Sequence, residues 1–182
     1  MTGEGLVYIF EGNGKGKTSA ALGVALRMLL LKNKVVWISW FKEESWKMSE
    51  MGLAWQFPEL IKMHWGGKGF FGGPMDHDTP DGHKKAAVAA FSMAKEVLAK
   101  NEEDGGMVSL LVLDEVIRAV NDGLISLNDI LNLVKMRGKT HLVLTGHNCP
   151  KELINEADLV TEMKKIKHPY DKGILAVRGL DF

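Results

Sequence analysis

A short glycine-rich loop constrains the fold of this chain more than any other feature. The loop lies between an apolar, strand-like segment, Leu6–Phe10, and a dense apolar helix that continues through Leu31. Successive glycines allow backbone N–H groups to curl around phosphate oxygens, and the following helix points the positive end of its dipole at the same place. The sequence therefore predicts a binding site for the triphosphate of a nucleotide, and we expect ATP. The candidate binding residues are Gly12, Asn13, Gly14, Lys15, Gly16, Lys17 and Thr18.

Two side chains at the end of this phosphate loop have the chemistry that a triphosphate needs. Lys17 can reach phosphate oxygens as a mobile charge, and the Thr18 hydroxyl can ligate the accompanying Mg²⁺. The strict form of the motif has glycine five positions before Gly16, where this chain has Glu11. A flexible glycine turn without function is the alternative, but a loop that joins a strand to a helix is the context in which this motif binds phosphate.

A second segment places two acids at the end of a strand. The apolar run Leu110–Leu113 is followed by Asp114 and Glu115, which is the form of a Walker B segment. We expect Asp114 to hold magnesium directly or through water. Glu115 is either a second acid beside the metal or a group that polarises a water or substrate. An acid pair on the surface is the alternative, and the presence of the phosphate loop favours the metal site.

Strand-like and helical segments alternate along most of the chain. Thr79 with Pro80 begins one predicted helix, and Ser126 with Asp129 forms a capping box before another. This alternation predicts an α/β fold with three layers, in which helices cover both faces of a mostly parallel central sheet. The predicted later strands are Val35–Trp40, Val108–Leu113 and His141–Thr145, with Leu159–Thr161 and Ile174–Val177 as additional edge strands.

The chain length of 182 residues fits a single nucleotide-binding domain, residues 1–182. Residues 42–78 form an aromatic-rich insertion that is too long for an ordinary connection, so it is either functional or partly mobile. For each of its tryptophans, Trp46, Trp55 and Trp65, simple packing of the loop onto the sheet is the favoured interpretation.

Composition narrows the classes of function and the setting. Lysine plus arginine and aspartate plus glutamate both number 23, so a general nucleic-acid binder is not expected. The only cysteine, Cys149, allows no internal disulfide and favours a reducing compartment. Apolar runs such as Met28–Leu31 are far too short to span a bilayer. We therefore expect a cytoplasmic protein with neither nucleic acid nor membrane as a partner.

The chain resembles the P-loop type of corrinoid adenosyltransferase. Many ATPases share the phosphate loop, but the resemblance extends to segments that general phosphate binding does not require. The family also lacks the first glycine of the strict motif, so Glu11 agrees with it. The matching segments beyond the loop are Leu113–Glu115, Leu144–Gly146, Ala157–Met163, Lys167–Asp171, Gly173 and Gly179–Phe182.

This resemblance implies a RecA-like P-loop NTPase fold, a homodimer and MgATP as the adenosyl donor. The reduced cobalt of cob(I)alamin or a related corrinoid attacks the 5′-carbon of the ribose, and inorganic triphosphate leaves. Lys17, backbone amides and magnesium stabilise the charge of that leaving group. Phe70 is expected beside the corrinoid, so the candidate catalytic residues are Lys17, Glu115 and Phe70. A reductase that donates electrons is a further expected partner.

Two positions depart from the family pattern. The family's Gly-Phe-Thr-Trp motif is Gly69–Gly72 here, which places Gly72 where the family has tryptophan, and Phe71 or Trp65 are the candidate replacements. The family's Thr-Gly-Arg ends in His147, which removes a fixed cation. A P-loop ATPase or kinase that acts on a different acceptor is therefore one alternative, and a non-catalytic carrier of nucleotide or corrinoid is another.

Overall fold

A computed structural model of the chain describes residues 3–73, 76–103 and 107–182. Its described residues form one sheet of six strands in the order β3-β2-β4-β5-β1-β6. All five pairings between neighbouring strands are parallel. The strands are β1 Val7–Glu11, β2 Val35–Ser39, β3 Ile61–Trp65, β4 Leu110–Asp114, β5 His141–Gly146 and β6 Leu159–Glu162.

Six α-helices connect these strands within the described residues. Ser126 caps one of them as predicted, since its Oγ accepts the N–H of Asp129 at 3.1 Å and donates to that carboxylate at 2.6 Å. Short 3₁₀ segments span Glu44–Trp46, Ser49–Met51 and Pro169–Lys172. The helices are α1 Lys17–Leu30, α2 Gly52–Gln56, α3 Pro80–Glu103, α4 Val116–Asn121, α5 Leu127–Lys135 and α6 Lys151–Asn155.

Apolar side chains cover both faces of the sheet. On one face, small residues of α1 such as Ala21 and Ala25 pack on Trp37 and Val143. The opposite face packs against α3, α4 and α5. Every residue of β2 and β4 is buried, as expected for central strands of a parallel sheet that is covered on both sides. The predicted three-layer α/β fold is therefore confirmed.

Two sequence-based predictions about strands need correction. Strand β3 lies inside the aromatic-rich segment 42–78, where no strand was predicted, and pairs with β2 from Val35↔Ile61 to Ser39↔Trp65. Residues 174–177 were predicted as an edge strand and form none. The backbone N–H of Val177 instead donates to the Asp181 carboxylate at 2.6 Å, so a side chain satisfies the donor that a neighbouring strand would have used. Strand β6 is an edge strand, as predicted.

The topology brings the phosphate loop and the Walker B acids to one edge of the sheet. Strand β5 lies between β1 and β4, and all three run in the same direction. Their carboxyl ends therefore meet, which is where open parallel sheets bind ligands. None of the helices in the described ranges is both long and apolar enough to cross a membrane.

Candidate functional site

The phosphate loop has the backbone shape that its glycines predict. Gly12 and Gly16 have φ angles of 109° and 115°, in a region that side chains strongly disfavour. Gly14 is constrained differently, since a Cβ there would come within 2.6 Å of the Met163 carbonyl oxygen. The N–H of Gly14 donates to that same oxygen at 2.6 Å. The chain that follows β6 therefore lies directly against the loop.

The Lys17 ammonium lies within the loop rather than in solvent. It donates to the carbonyl oxygens of Gly12 at 2.9 Å and Gly14 at 2.8 Å, and the residue is only 7% exposed. Burial lowers the pKa of Lys17, and the nearby carboxylates of Glu115 and Asp114 oppose that shift. These contacts hold a positive charge at the first turn of α1.

Asp114 is fully buried at the end of β4, and both of its carboxylate oxygens are engaged. One oxygen accepts hydrogen bonds from the hydroxyls of Thr18 at 3.0 Å and Thr145 at 2.9 Å. The other accepts from the Ser39 hydroxyl at 3.0 Å and lies 3.0 Å from the Lys42 ammonium. Strands β2 and β5 and helix α1 thus each direct a hydroxyl at the carboxylate that β4 supplies, and Lys42 adds an ammonium from the segment after β2.

Lys42 links Asp114 to a second buried acid. Its Nζ lies 2.8 Å from Glu50 Oε1, and Glu50 is only 8% exposed. Burial alone would lower the pKa of Lys42, but the carboxylates of Asp114 and Glu50 outweigh it and raise the pKa. Neither residue was a candidate from the sequence, because both lie in the segment 42–78 outside any phosphate-binding pattern.

Glu115 has an unusual backbone and an unusual electrostatic setting. Its φ of 63° is left-handed, and its N–H donates to the Thr145 hydroxyl at 2.8 Å. Its Oε2 is buried without a hydrogen-bond partner among the described residues. Burial, reinforced by the negative charge of Asp114, raises the pKa of Glu115 to about 7. A buried carboxylate oxygen in this state suits a cation or a donor from a ligand.

The residues at this edge fit a magnesium ion that is bound to the phosphates of a nucleotide. No group of three or more His, Cys, Asp or Glu side chains that could hold a metal occurs in the part of the chain that the structure describes. A dedicated cage is not required, because Mg²⁺ is usually held by one or two protein oxygens together with phosphates and waters. Thr18 and Asp114 supply such oxygens, and the partnerless Glu115 Oε2 lies nearby.

Phe70 lies in the wall of a cavity that adjoins the phosphate loop. The cavity has a volume of about 710 Å³, and Thr18 and Lys42 line it together with Phe70 and Trp46. The ring centroids of Phe70 and Trp46 are 5.5 Å apart. The predicted corrinoid-side residue Phe70 and one of the predicted phosphate-side residues, Thr18, therefore share one cavity. Its wall on the side of the chain terminus consists of Ala176, Gly179, Leu180, Asp181 and Phe182.

Neither proposed replacement for the family's tryptophan lines this cavity. Phe71 packs on His83, with ring centroids 5.1 Å apart, and Trp65 lines a different cavity of about 450 Å³ on β3. Trp46 lines this cavity instead, although the sequence favoured simple packing for it. The sequence carries no signal that separates Trp46 from Trp55, which is 80% exposed.

Arg118 places a cation near His147, the residue predicted to replace the family's arginine. Burial lowers the pKa of His147, and the positive charges of Lys17 and Arg118 lower it further. The guanidinium carbon of Arg118 lies 4.9 Å from the ring centroid of Phe41 and 4.8 Å from that of Phe70. A planar cation against two aromatic rings fixes the Phe70 ring by a cation–π contact. Arg118 was not a candidate from the sequence, because it lies in α4 and that helix was not predicted.

Two loop residues engage the C-terminal segment through their side chains. Lys15 forms an ion pair with Asp181, and the Asn13 side chain accepts the N–H of Lys165 at 3.2 Å. The Ser49 hydroxyl donates to the Phe182 carbonyl oxygen at 2.7 Å. The terminal segment therefore closes the cavity by contacts with both the phosphate loop and the aromatic segment.

Comparison with known proteins identifies a matching family. The family described as ATP:corrinoid adenosyltransferase BtuR/CobO/CobP matches residues 3–182. A corrinoid adenosyltransferase of Pseudomonas aeruginosa is 33% identical over 181 residues, covering 98% of this chain and 84% of the relative. The corrinoid adenosyltransferase CobA of Salmonella typhimurium is 28% identical over 179 residues, covering 98% of this chain and 86% of the relative.

A solved structure supports the fold assignment. The KaiC-like protein PH0186 of Pyrococcus horikoshii superposes with a TM-score of 0.52 at 15% identity, covering 90% of this chain and 75% of that protein. The low identity limits this likeness to the fold, which is the RecA-like α/β architecture expected from the sequence.

Proposed function

The chain belongs to the ATP:corrinoid adenosyltransferase family BtuR/CobO/CobP, and from this membership we propose how its residues move an adenosyl group from ATP to a reduced corrinoid. The observation that carries the proposal is the convergence of Lys17, Thr18 and Asp114 beside a cavity walled by Phe70. A cobalt nucleophile comes with the substrate, so the protein has to bind, orient and stabilise the leaving group.

The phosphate side acts on the triphosphate. The N–H groups of the loop residues 12–18 and the Lys17 ammonium bind its oxygens, and in doing so the ammonium exchanges carbonyl partners for phosphate. Negative charge on the leaving group grows during transfer, so donors fixed in place beforehand stabilise the transition state more than the substrate. Magnesium, when bound, supplies additional positive charge on the triphosphate. Thr18 and Asp114 would hold it.

Glu115 is proposed as the second acid beside the metal. The observation that supports this role is its buried Oε2, which has no hydrogen-bond partner in the described part of the chain. A cation close to this carboxylate stabilises its charged form and lowers its pKa from about 7, so that binding of a metal and loss of a proton are coupled. The Glu115 carboxylate would in this way accept a hydrogen bond from a water or from a group of the nucleotide.

The aromatic side is proposed to bind the corrinoid. Phe70 and Trp46 present apolar rings to the cavity, and a flat macrocycle buries apolar area against such rings. A volume of about 710 Å³ suits the adenosyl group and part of a macrocycle better than a whole cobalamin. We infer that residues 176–182 move aside as the corrinoid binds, which their location in the cavity wall requires.

The domain organisation, oligomeric state, compartment and electron donor are also proposals. We propose that residues 1–182 form one domain, that the enzyme works as a cytoplasmic homodimer, and that a reductase supplies electrons to the cobalt. The single cysteine supports a reducing compartment. Exposed apolar residues such as Ile166 and Leu175, 96% and 74% exposed, support a partner surface.

A product assay tests the function directly. The protein, ATP, Mg²⁺ and chemically reduced cobalamin should yield inorganic triphosphate and a light-sensitive adenosylated product in equal amounts. A reaction without corrinoid is the control and should yield neither. Release of ADP without any corrinoid would contradict the proposal and would instead support the ATPase or kinase alternative.

A further inference from the structure

Lys42 lies where it can act on both the Walker B acid and a bound nucleotide. It follows β2 and lines the cavity beside Thr18, and its side chain is 15% exposed. Its ammonium lies 3.0 Å from Asp114 Oδ2 and 2.8 Å from Glu50 Oε1. A lysine held this closely by two buried carboxylates is a fixed charge of the site rather than a solvated surface group.

The hydrogen bonds around Asp114 show what this charge does. Three hydroxyls, from Ser39, Thr18 and Thr145, and one ammonium occupy its two oxygens. A hydroxyl donor can rotate and leaves the negative charge of the carboxylate in place. The ammonium neutralises that charge, so it is the one partner that competes electrostatically with a cation arriving at Asp114.

We propose that Lys42 is a tethered cation that competes with magnesium for Asp114 and sets how strongly nucleotide binding depends on the metal. When magnesium binds, the ammonium gives up Asp114 and keeps Glu50, its second partner. When magnesium is absent, Lys42 remains on Asp114 and reduces the repulsion between that carboxylate and the triphosphate. This inference rests on the proposed nucleotide and magnesium sites.

A ratio of two affinities measures this competition without any catalytic turnover. Calorimetry gives the dissociation constant of ATP in the presence of a chelator and in the presence of saturating Mg²⁺. The first constant divided by the second is the metal preference. In Lys42→Met, metal-free ATP should bind more weakly because Asp114 repels it, whereas MgATP should gain a stronger metal ligand. The ratio should rise about tenfold, the size expected when one close charge pair is removed.

Glu50→Gln should change the ratio in the opposite direction. Since misfolding would not move the ratio in opposite directions in the two variants, this pair excludes misfolding as the explanation. Without the second carboxylate, the Lys42 ammonium has only Asp114 as a charged partner among the contacts described, so magnesium displaces it less readily and the ratio should fall several-fold. Lys62→Met removes the same charge from an exposed position on edge strand β3, outside the cavity lining, and should leave the ratio unchanged.

The possible results separate this inference from the proposed function. A ratio that rises in Lys42→Met and falls in Glu50→Gln supports the tethered cation. If both variants bind ATP with the ratio of the unmodified protein, Lys42 is only a structural residue and the inference is wrong, while the adenosyltransferase proposal stands. If the unmodified protein binds ATP in neither condition, the nucleotide site itself is wrong and both proposals are overturned.

Discussion

The phosphate side and the aromatic side of the cavity are built in different ways. On the phosphate side, Asp114 is fully buried and Lys17 is 7% exposed, and backbone and side-chain hydrogen bonds fix both. On the aromatic side, the wall includes Leu180 and Phe182, which are 74% and 42% exposed. Groups that stabilise a developing charge must be in place beforehand, whereas a wall that admits a large substrate has to yield. In the proposed mechanism, this contrast gives a rigid half for the leaving group and an adaptable half for the acceptor.

The largest expected effect tests the rigid half. Lys17→Ala removes the only buried ammonium in the phosphate loop, so kcat/KM for adenosyl transfer should fall on the order of hundredfold or more, because an interaction with the leaving group is lost. Lys15→Ala is the matched control in the same loop, since that lysine is paired with Asp181 at the surface. Steady-state kinetics with triphosphate detection measures both. If the two variants had nearly equal rates, the buried ammonium would not stabilise the leaving group, and the phosphate side would have no preorganised charge to distinguish it from the aromatic side.

A pH experiment on the nucleotide-free protein tests the electrostatics of the same half. Burial raises the pKa of Glu115 to about 7 from an ordinary value of 4.5. The folded state therefore binds more protons than the unfolded state between these values, and stability falls as pH rises through that window. Glu115→Gln removes the free-energy cost of burying an ionised carboxylate. The variant should therefore be more stable than the unmodified protein by about 2 kcal/mol at pH 8 and by little at pH 4.

Denaturant unfolding at the two pH values measures this difference. Asp122→Asn is a suitable comparison, since Asp122 is a partly exposed carboxylate beside Arg118 at the other end of the same short helix. That variant should show no such gain at pH 8. If the difference in free energy of unfolding between Glu115→Gln and the unmodified protein is the same at both pH values, burial does not raise the pKa of this carboxylate.

A smaller effect is expected on the aromatic side, where binding rather than leaving-group chemistry is affected. Trp46→Ala removes a ring from the cavity wall and a neighbour of Phe70, so KM for the corrinoid should rise about tenfold while the affinity for ATP changes little. Trp55→Ala is the matched control, because Trp55 is 80% exposed and lies outside the cavity lining. A larger loss of ATP affinity than of corrinoid affinity would contradict the assignment of Trp46.

The two halves also differ in how far the sequence could predict them. The positions of residues 12–18 and Asp114 could be predicted from local sequence. Glycines at a strand-to-helix junction and an acid after an apolar strand have positions that the neighbouring residues determine. Lys42 and Trp46 reach the cavity from the segment between β2 and β3, and Arg118 reaches Phe70 from α4. Neither β3 nor α4 was predicted, so there was no way to bring these residues together from the sequence. The residues Ile174–Val177 have the composition of a strand, yet Asp181 takes the N–H of Val177 and no strand forms.

The smallest expected effect concerns the terminal segment that closes the adaptable half. The Lys15 ammonium is the main cause that lowers the pKa of Asp181, and the Val177 N–H donates to the same carboxylate. Asp181→Asn should loosen this closure, so that trypsin cleaves after Arg178 a few-fold faster, because surface ion pairs contribute little and local opening governs cleavage. Asp171→Asn, which breaks the surface pair with Lys165 instead, is the control and should leave that rate unchanged. Equal acceleration in both variants would mean that the segment is held by its apolar contacts and that the ion pair at the phosphate loop does not couple the two halves.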